Sequence, residues 1–79
     1  MGNRCFLFDV DGTLTEPCKR IDATFSKFFE RWAIFHPTYL VSGSKFSQIH
    51  TQVGIDIIDA CKGVFSCMGN EYWVGDTIM

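Results

Sequence analysis

Phe6-Leu7-Phe8-Asp9-Val10-Asp11-Gly12-Thr13-Leu14-Thr15 is the stretch that decides the fold. Arg4 to Val10 is a nearly continuous apolar run, rich in Phe, that leads into two carboxylates and a glycine. Such a run is expected as a strand buried on both faces, the usual setting of a parallel strand. Gly12 to Arg20 carries Gly, Thr, Pro17 and charges, and is expected as a loop. Beyond it Ile21, Phe25, Phe28, Phe29 and Trp32 form an apolar stripe at helical spacing, with Lys27, Glu30 and Arg31 outside. Asp22 or Thr24 is placed to cap that helix, and Pro37 ends its region.

Thr38 to Val41 follows as a second strand that stops at Ser42-Gly43-Ser44. A second helix is expected over Lys45 to Gln52, with Phe46, Ile49 and Val53 inward. Ile55 to Ala60 is a short helical turn, Val64 to Cys67 a third strand. Glu71 to Val74, Gly75-Asp76 and Thr77 to Met79 read as a hairpin. Alternation of this order implies an α/β unit built on a parallel sheet, one domain over residues 1–79. The apolar ending Ile78-Met79 leads to the expectation that this is the amino-terminal part of a longer fold.

The composition fits a globular chain. Of 79 residues 47% are hydrophobic and 15% aromatic, too apolar for disorder. The net charge is −2, with no basic stripe to hold nucleic acid or an anionic membrane surface. No apolar run approaches the ~20 residues that span a bilayer. The amino terminus is no secretory signal, and Phe6 stands where a myristoylation signal has Ser or Thr. Cys5, Cys18, Cys61 and Cys67 form no C-x-x-C pair and no zinc spacing, so reduced thiols in a cytoplasmic compartment are expected, with Cys5 buried.

Two chemistries stand at expected strand ends. Asp9 and Asp11, two apart, share a face if the strand continues, and two adjacent carboxylates call for a cation. Mg²⁺, a hard ion taking oxygen ligands, meets that need. Gly12 permits a tight turn and N–H groups offered to an anion. Ser42, with Gly43, opens a helix whose N-terminus suits a phosphate oxygen. The blander readings are a solvated loop for the carboxylates and an ordinary helix cap for Ser42-Gly43-Ser44. A calcium loop is excluded, because Gly12 comes two positions early and Arg20 stands where Glu is required. His36 and His50 are expected at the surface or a helix end, and Lys62 in solvent.

F-D-V-D-G-T-L-T at residues 8–15 resembles the first motif of the haloacid-dehalogenase-like (HAD) phosphotransferases, and the longer run resembles eukaryotic-type phosphomannomutases. V-S-G-S at 41–44 is similar to their second motif, and Val64-Phe65 with Gly69 to the third strand and turn before their cap. The resemblance implies a Rossmann-like core and Mg²⁺-dependent phosphoryl transfer on a small phosphorylated substrate such as a sugar phosphate. It implies that Asp9 is the nucleophile carrying an aspartyl-phosphate and Asp11 the general acid/base. Mg²⁺ would be held by the Asp9 side chain and the Asp11 carbonyl, and the phosphoryl group by Ser42 and Gly43. Lys45 departs from the Asp usual in phosphomannomutases, at a position bearing on sugar-phosphate specificity.

The family's later cationic and acidic motifs would follow a cap past Met79, so turnover by these residues alone is expected to be slow. Two alternatives stand beside this reading. One is an inactive fragment that binds metal and phosphate or serves as an assembly half, its exposed aromatics favouring self-association. The other is a minimal capless phosphatase using Asp76 as a metal ligand.

Overall fold

The computed structural model describes residues 4–16 and 19–79. The expected strand β1 is trimmed to Phe6–Asp9. Helix α1 follows at Ala23–Phe35, strand β2 at Thr38–Val41, helix α2 at Phe46–Val53, helix α3 at Ile55–Ala60 and strand β3 at Gly63–Ser66. A 3-10 turn (Cys67–Gly69) leads to strands β4 (Glu71–Val74) and β5 (Thr77–Ile78). The five strands lie in chain order in one sheet. β1, β2 and β3 run parallel, while β4 and β5 return antiparallel as the expected hairpin. The sheet is therefore mixed, with parallel pairing confined to its first three strands.

Register divides the sheet into two unlike faces. Phe8, Leu40, Val64 and Trp73 stand in one row across four strands. Helices cover this side. The Phe8 ring meets Phe29 and Trp32 of α1 edge-on, with centroids 5.2 and 5.6 Å apart, and Phe46 of α2 stacks on Trp73 at 3.9 Å. The core lies between these layers, where Val10, Leu40, Ile49, Ile57, Ile58 and Val64 are fully buried. Each such aliphatic side chain contributes roughly 1.5–3 kcal/mol.

The opposite row holds Leu7, Tyr39, Val41, Phe65 and Tyr72, and none of them belongs to the buried core. Leu7 is 63% exposed. This corrects the expectation of a strand buried on both faces: the helices of this chain pack on one side only. Cys5 is likewise exposed rather than buried, since it precedes the first paired residue of β1. Phe25 and Phe28, read as inward, are exposed as well. The thin core takes only Phe29, Ala33 and part of Trp32 from α1.

Local chemistry explains the element ends. Asp22 caps α1, its Oδ2 accepting the Phe25 N–H at 3.0 Å. His36 closes the same helix, its ring stacked 4.0 Å from Trp32. Gly54, at φ +86°, ends α2 and begins α3 in one residue, a backbone conformation that glycine adopts without steric cost. His50 and Lys62 are exposed, as expected. Among the described residues no helix is long and apolar enough to cross a membrane. Cys5, Cys61 and Cys67 are free thiols, and Pro17 and Cys18 lie outside the described residues.

Burial pushes the Cys61 thiol up from 9.0 to about 12. The unfolded chain then releases this proton from pH 9.0 upward, whereas the folded chain keeps it until about 12. Fewer protons on the unfolded state mean that stability falls as pH rises through this window. Urea midpoints should therefore drop more steeply above pH 9.0 in the natural chain than in Cys61→Ala, measured in parallel. Identical slopes would contradict the buried, protonated thiol.

Candidate active site

The carboxyl ends of β1 and β2 form one rim of the sheet. Asp9 is paired with Val41, so Ser42 follows directly beside it on the neighbouring strand. The ladder continues one step beyond β1, with Val10 N–H donating to Val41 O at 3.1 Å, and Ser42 N–H reaches across to Phe65 O of β3 at 3.0 Å. Parallel strands thus put the acidic segment and the Ser-Gly-Ser segment at the same edge, where open α/β sheets bind ligands.

Asp9 is exposed at this edge. Strand β1 ends there, and residues 10–15 fold back as a closed loop. Gly12, at φ +85°, makes the reversal, and its N–H donates to Thr15 O at 2.7 Å. Leu14 and Thr15 N–H both donate to Val10 O, at 3.1 and 3.0 Å. These donors are spent inside the loop, so the Gly12 N–H does not meet the expectation of an amide offered to an anion. What Gly12 supplies is the turn.

The loop also changes the relation between the carboxylates. Strand alternation does not extend to Asp11, which is half-buried and turned toward the helix layer. There its Oδ1 accepts a 2.7 Å hydrogen bond from Gln52 Nε2 of α2. Gln52 is 2% exposed and also donates to Thr15 Oγ1 and to Lys19 O, both at 3.3 Å. Its Oε1 is buried without a hydrogen-bond partner among the described residues. Carboxylates and carbonyls only accept, so the amide must present its NH₂ to Asp11 and Lys19. The stranded carbonyl costs about 1–3 kcal/mol. Sequence reading gave Gln52 no role. A lone amide at an inward helical position, 41 residues from its partner, leaves no local signal.

Ser42 is 3% exposed, and its Oγ accepts the Ser44 N–H at 3.0 Å. A hydroxyl held as an acceptor keeps its own proton to donate. Gly43 beside it is exposed, and a Cβ there would come 3.0 Å from Met68 Sδ. Helix α2 then begins at Phe46, with Lys45 at its N-cap making no side-chain cap hydrogen bond. A helix start without a side-chain cap, and the dipole's positive end there, favour an anion. The segment from Gly43 to Gln48 lines a shallow recess at this point. In the 3-10 turn that follows β3, Cys67 and Met68 hold φ of +52° and +60°. Their N–H groups donate to Ser44 O and Ser42 O, bracing the Ser-Gly-Ser turn from behind.

The donor set bears on the metal. Among the described residues no group of three or more His, Cys, Asp or Glu side chains gathers. A full protein cage is therefore not built from them. Mg²⁺ usually takes one or two carboxylates and completes its shell with water and phosphate oxygens, and Asp9 at an open rim fits that pattern.

Asp76 does not belong to this edge. β4 runs against β3, with Trp73 opposite Val64, so the Gly75-Asp76 turn lies toward the amino-terminal ends of the parallel strands. A Cβ on Gly75 would in fact approach Asp59 of α3. This overturns the capless reading that used Asp76 as a metal ligand.

No protein-family model matches the chain. Similarity to individual proteins is found instead. A phosphomannomutase of Spinacia oleracea is 38% identical over 60 residues, covering 76% of this chain and 24% of that protein. A phosphomannomutase of Babesia bovis is 31% identical over 80 aligned positions, covering all of this chain and 32% of that protein. The chain thus spans about a quarter to a third of the length of these relatives.

Proposed function

We propose that this chain carries the amino-terminal part of a HAD-like, phosphomannomutase-like phosphoryl-transfer site acting on a small phosphorylated substrate, a sugar phosphate by the nature of its relatives. The observation that carries the reading is the shared rim: Asp9 ends one parallel strand opposite Val41, which ends the next, and Ser42 follows directly. Similarity to two phosphomannomutases, one of them over the whole chain, supports it.

In this reading Asp9 attacks the phosphoryl group and becomes an aspartyl-phosphate, splitting transfer into two steps. Asp11 protonates the leaving oxygen and then takes the proton of the acceptor. The Ser42 hydroxyl donates to a phosphoryl oxygen beside the Gly43 backbone, and the uncapped start of α2 adds its dipole. Mg²⁺, held by the Asp9 carboxylate and the Asp11 carbonyl, would offset negative charge at the phosphoryl oxygens. A cytoplasmic setting and a Rossmann-like core belong to the same proposal.

A second reading, a half-site that binds metal and phosphate without turnover, is favoured by the absence of a three-ligand cluster among the described residues. One assay separates the two. The proposed enzyme hydrolyses p-nitrophenyl phosphate slowly with Mg²⁺ and stops in EDTA. Mg²⁺ binding by calorimetry with no hydrolysis above buffer would leave only the half-site.

A further inference from the structure

We infer that Gln52 is a positioning residue that fixes the Asp11 carboxyl group from beneath the rim; the inference rests on the proposed reading of Asp11 as the proton-transferring group. Gln52 is buried, projects from α2 rather than from the acidic loop, and donates its shortest hydrogen bond, 2.7 Å, to Asp11 Oδ1. Its second and third bonds run to Thr15 Oγ1 and Lys19 O, both in the loop that follows Asp11. Thr15 is itself anchored, its Oγ1 donating to Val10 O at 3.3 Å. The amide is held at several points, so the Asp11 Oδ1 that it grips is held too.

The unpartnered Oε1 sharpens the point. A methionine would fill the same space without stranding a buried carbonyl, so what distinguishes glutamine here is its pair of N–H donors. The same bonds tie α2 to the loop after β1. Any change in how α2 packs is thereby transmitted to Asp11 rather than to Asp9, which hangs from the strand itself.

The test uses the 79-residue chain labelled with ¹³C at aspartate carboxyls. In Gln52→Met the Asp11 signal moves while that of Asp9 stays, and Thr15→Val, which removes a neighbouring bond, moves Asp11 less. An unmoved Asp11 signal in Gln52→Met overturns the inference. Should Gln52→Met not fold, Asp11→Ala gives the reciprocal reading: the Gln52 side-chain amide protons should then exchange with solvent at least about tenfold faster, and unchanged exchange overturns the inference. In turnover of p-nitrophenyl phosphate, Gln52→Met should lower kcat by about 10–100-fold with KM unchanged, the pattern of a misplaced catalytic group. A raised KM with kcat retained would contradict it. If the natural chain shows no turnover at all, the functional reading falls, while the carboxyl signals still decide whether Gln52 fixes Asp11.

Discussion

Asp9→Asn should lower Mg²⁺-dependent hydrolysis of p-nitrophenyl phosphate by at least about 10³-fold, the scale seen when a covalent nucleophile is removed. The amide has nearly the shape of the carboxylate but neither its charge nor its nucleophilic oxygen. Under the proposed function two contributions vanish together, the bond to phosphorus and the anionic oxygen facing the cation. The fold should not suffer. Asp9 is exposed at the end of an edge strand, and its backbone pairing with β2 does not depend on the side chain. Surface changes of this kind usually shift stability by less than about 0.5 kcal/mol. The checks are steady-state turnover and urea unfolding of the same preparations. Activity that survives in a folded Asp9→Asn chain would transfer the nucleophile's role elsewhere.

Leu40→Ala carries the largest expected cost in stability, about 3 kcal/mol within the usual 2–5 for such truncations. Leu40 is fully buried on β2, the strand between β1 and β3, aligned with Phe8 on one side and Val64 on the other. Both neighbours are fixed by ladder hydrogen bonds, and α1 and α2 press on the same face. The site has little freedom to collapse around the missing methyl groups. Stability near 0.05–0.15 kcal/mol per residue is typical of domains, so a chain of 79 residues loses a large share of its total. Urea denaturation measures it. A loss under about 1 kcal/mol would mean that the core is looser than this packing implies.

Much of the fold was legible because its punctuation is strong. Pro37 and the Ser42-Gly43-Ser44 turn bracket β2, and its expected range, Thr38–Val41, matches the structure. Gly54 separates α2 from α3, and Gly75-Asp76 marks the hairpin. What sequence could not show is which sides of the elements meet a partner. Phe6-Leu7-Phe8 is apolar throughout, so periodicity gives no face, and only the placement of all three helices on one side leaves Leu7 in solvent. The stripe of α1 overstates its contact for the same reason. Phe25 and Phe28 have the spacing of core residues but no neighbouring layer to enter.

The candidate site divides similarly. Asp9 and Ser42 follow from strand ends and a shared direction. The placement of Asp11 does not, since the alternation argument assumed a strand that stops two residues earlier. The fate of Gly12 N–H and the grip of Gln52 depend on loop closure and on a contact between distant elements. Neither leaves a trace in local spacing.

The most direct measurement identifies the atom that carries phosphate. The chain is incubated with Mg²⁺ and a small phosphoryl donor, quenched with borohydride, which reduces an acyl phosphate to an alcohol, and sequenced by mass spectrometry. The proposed chemistry predicts homoserine at position 9 and unmodified Asp11. Phosphate found on Ser42, or reduction at position 11 with Asp9 untouched, would contradict it.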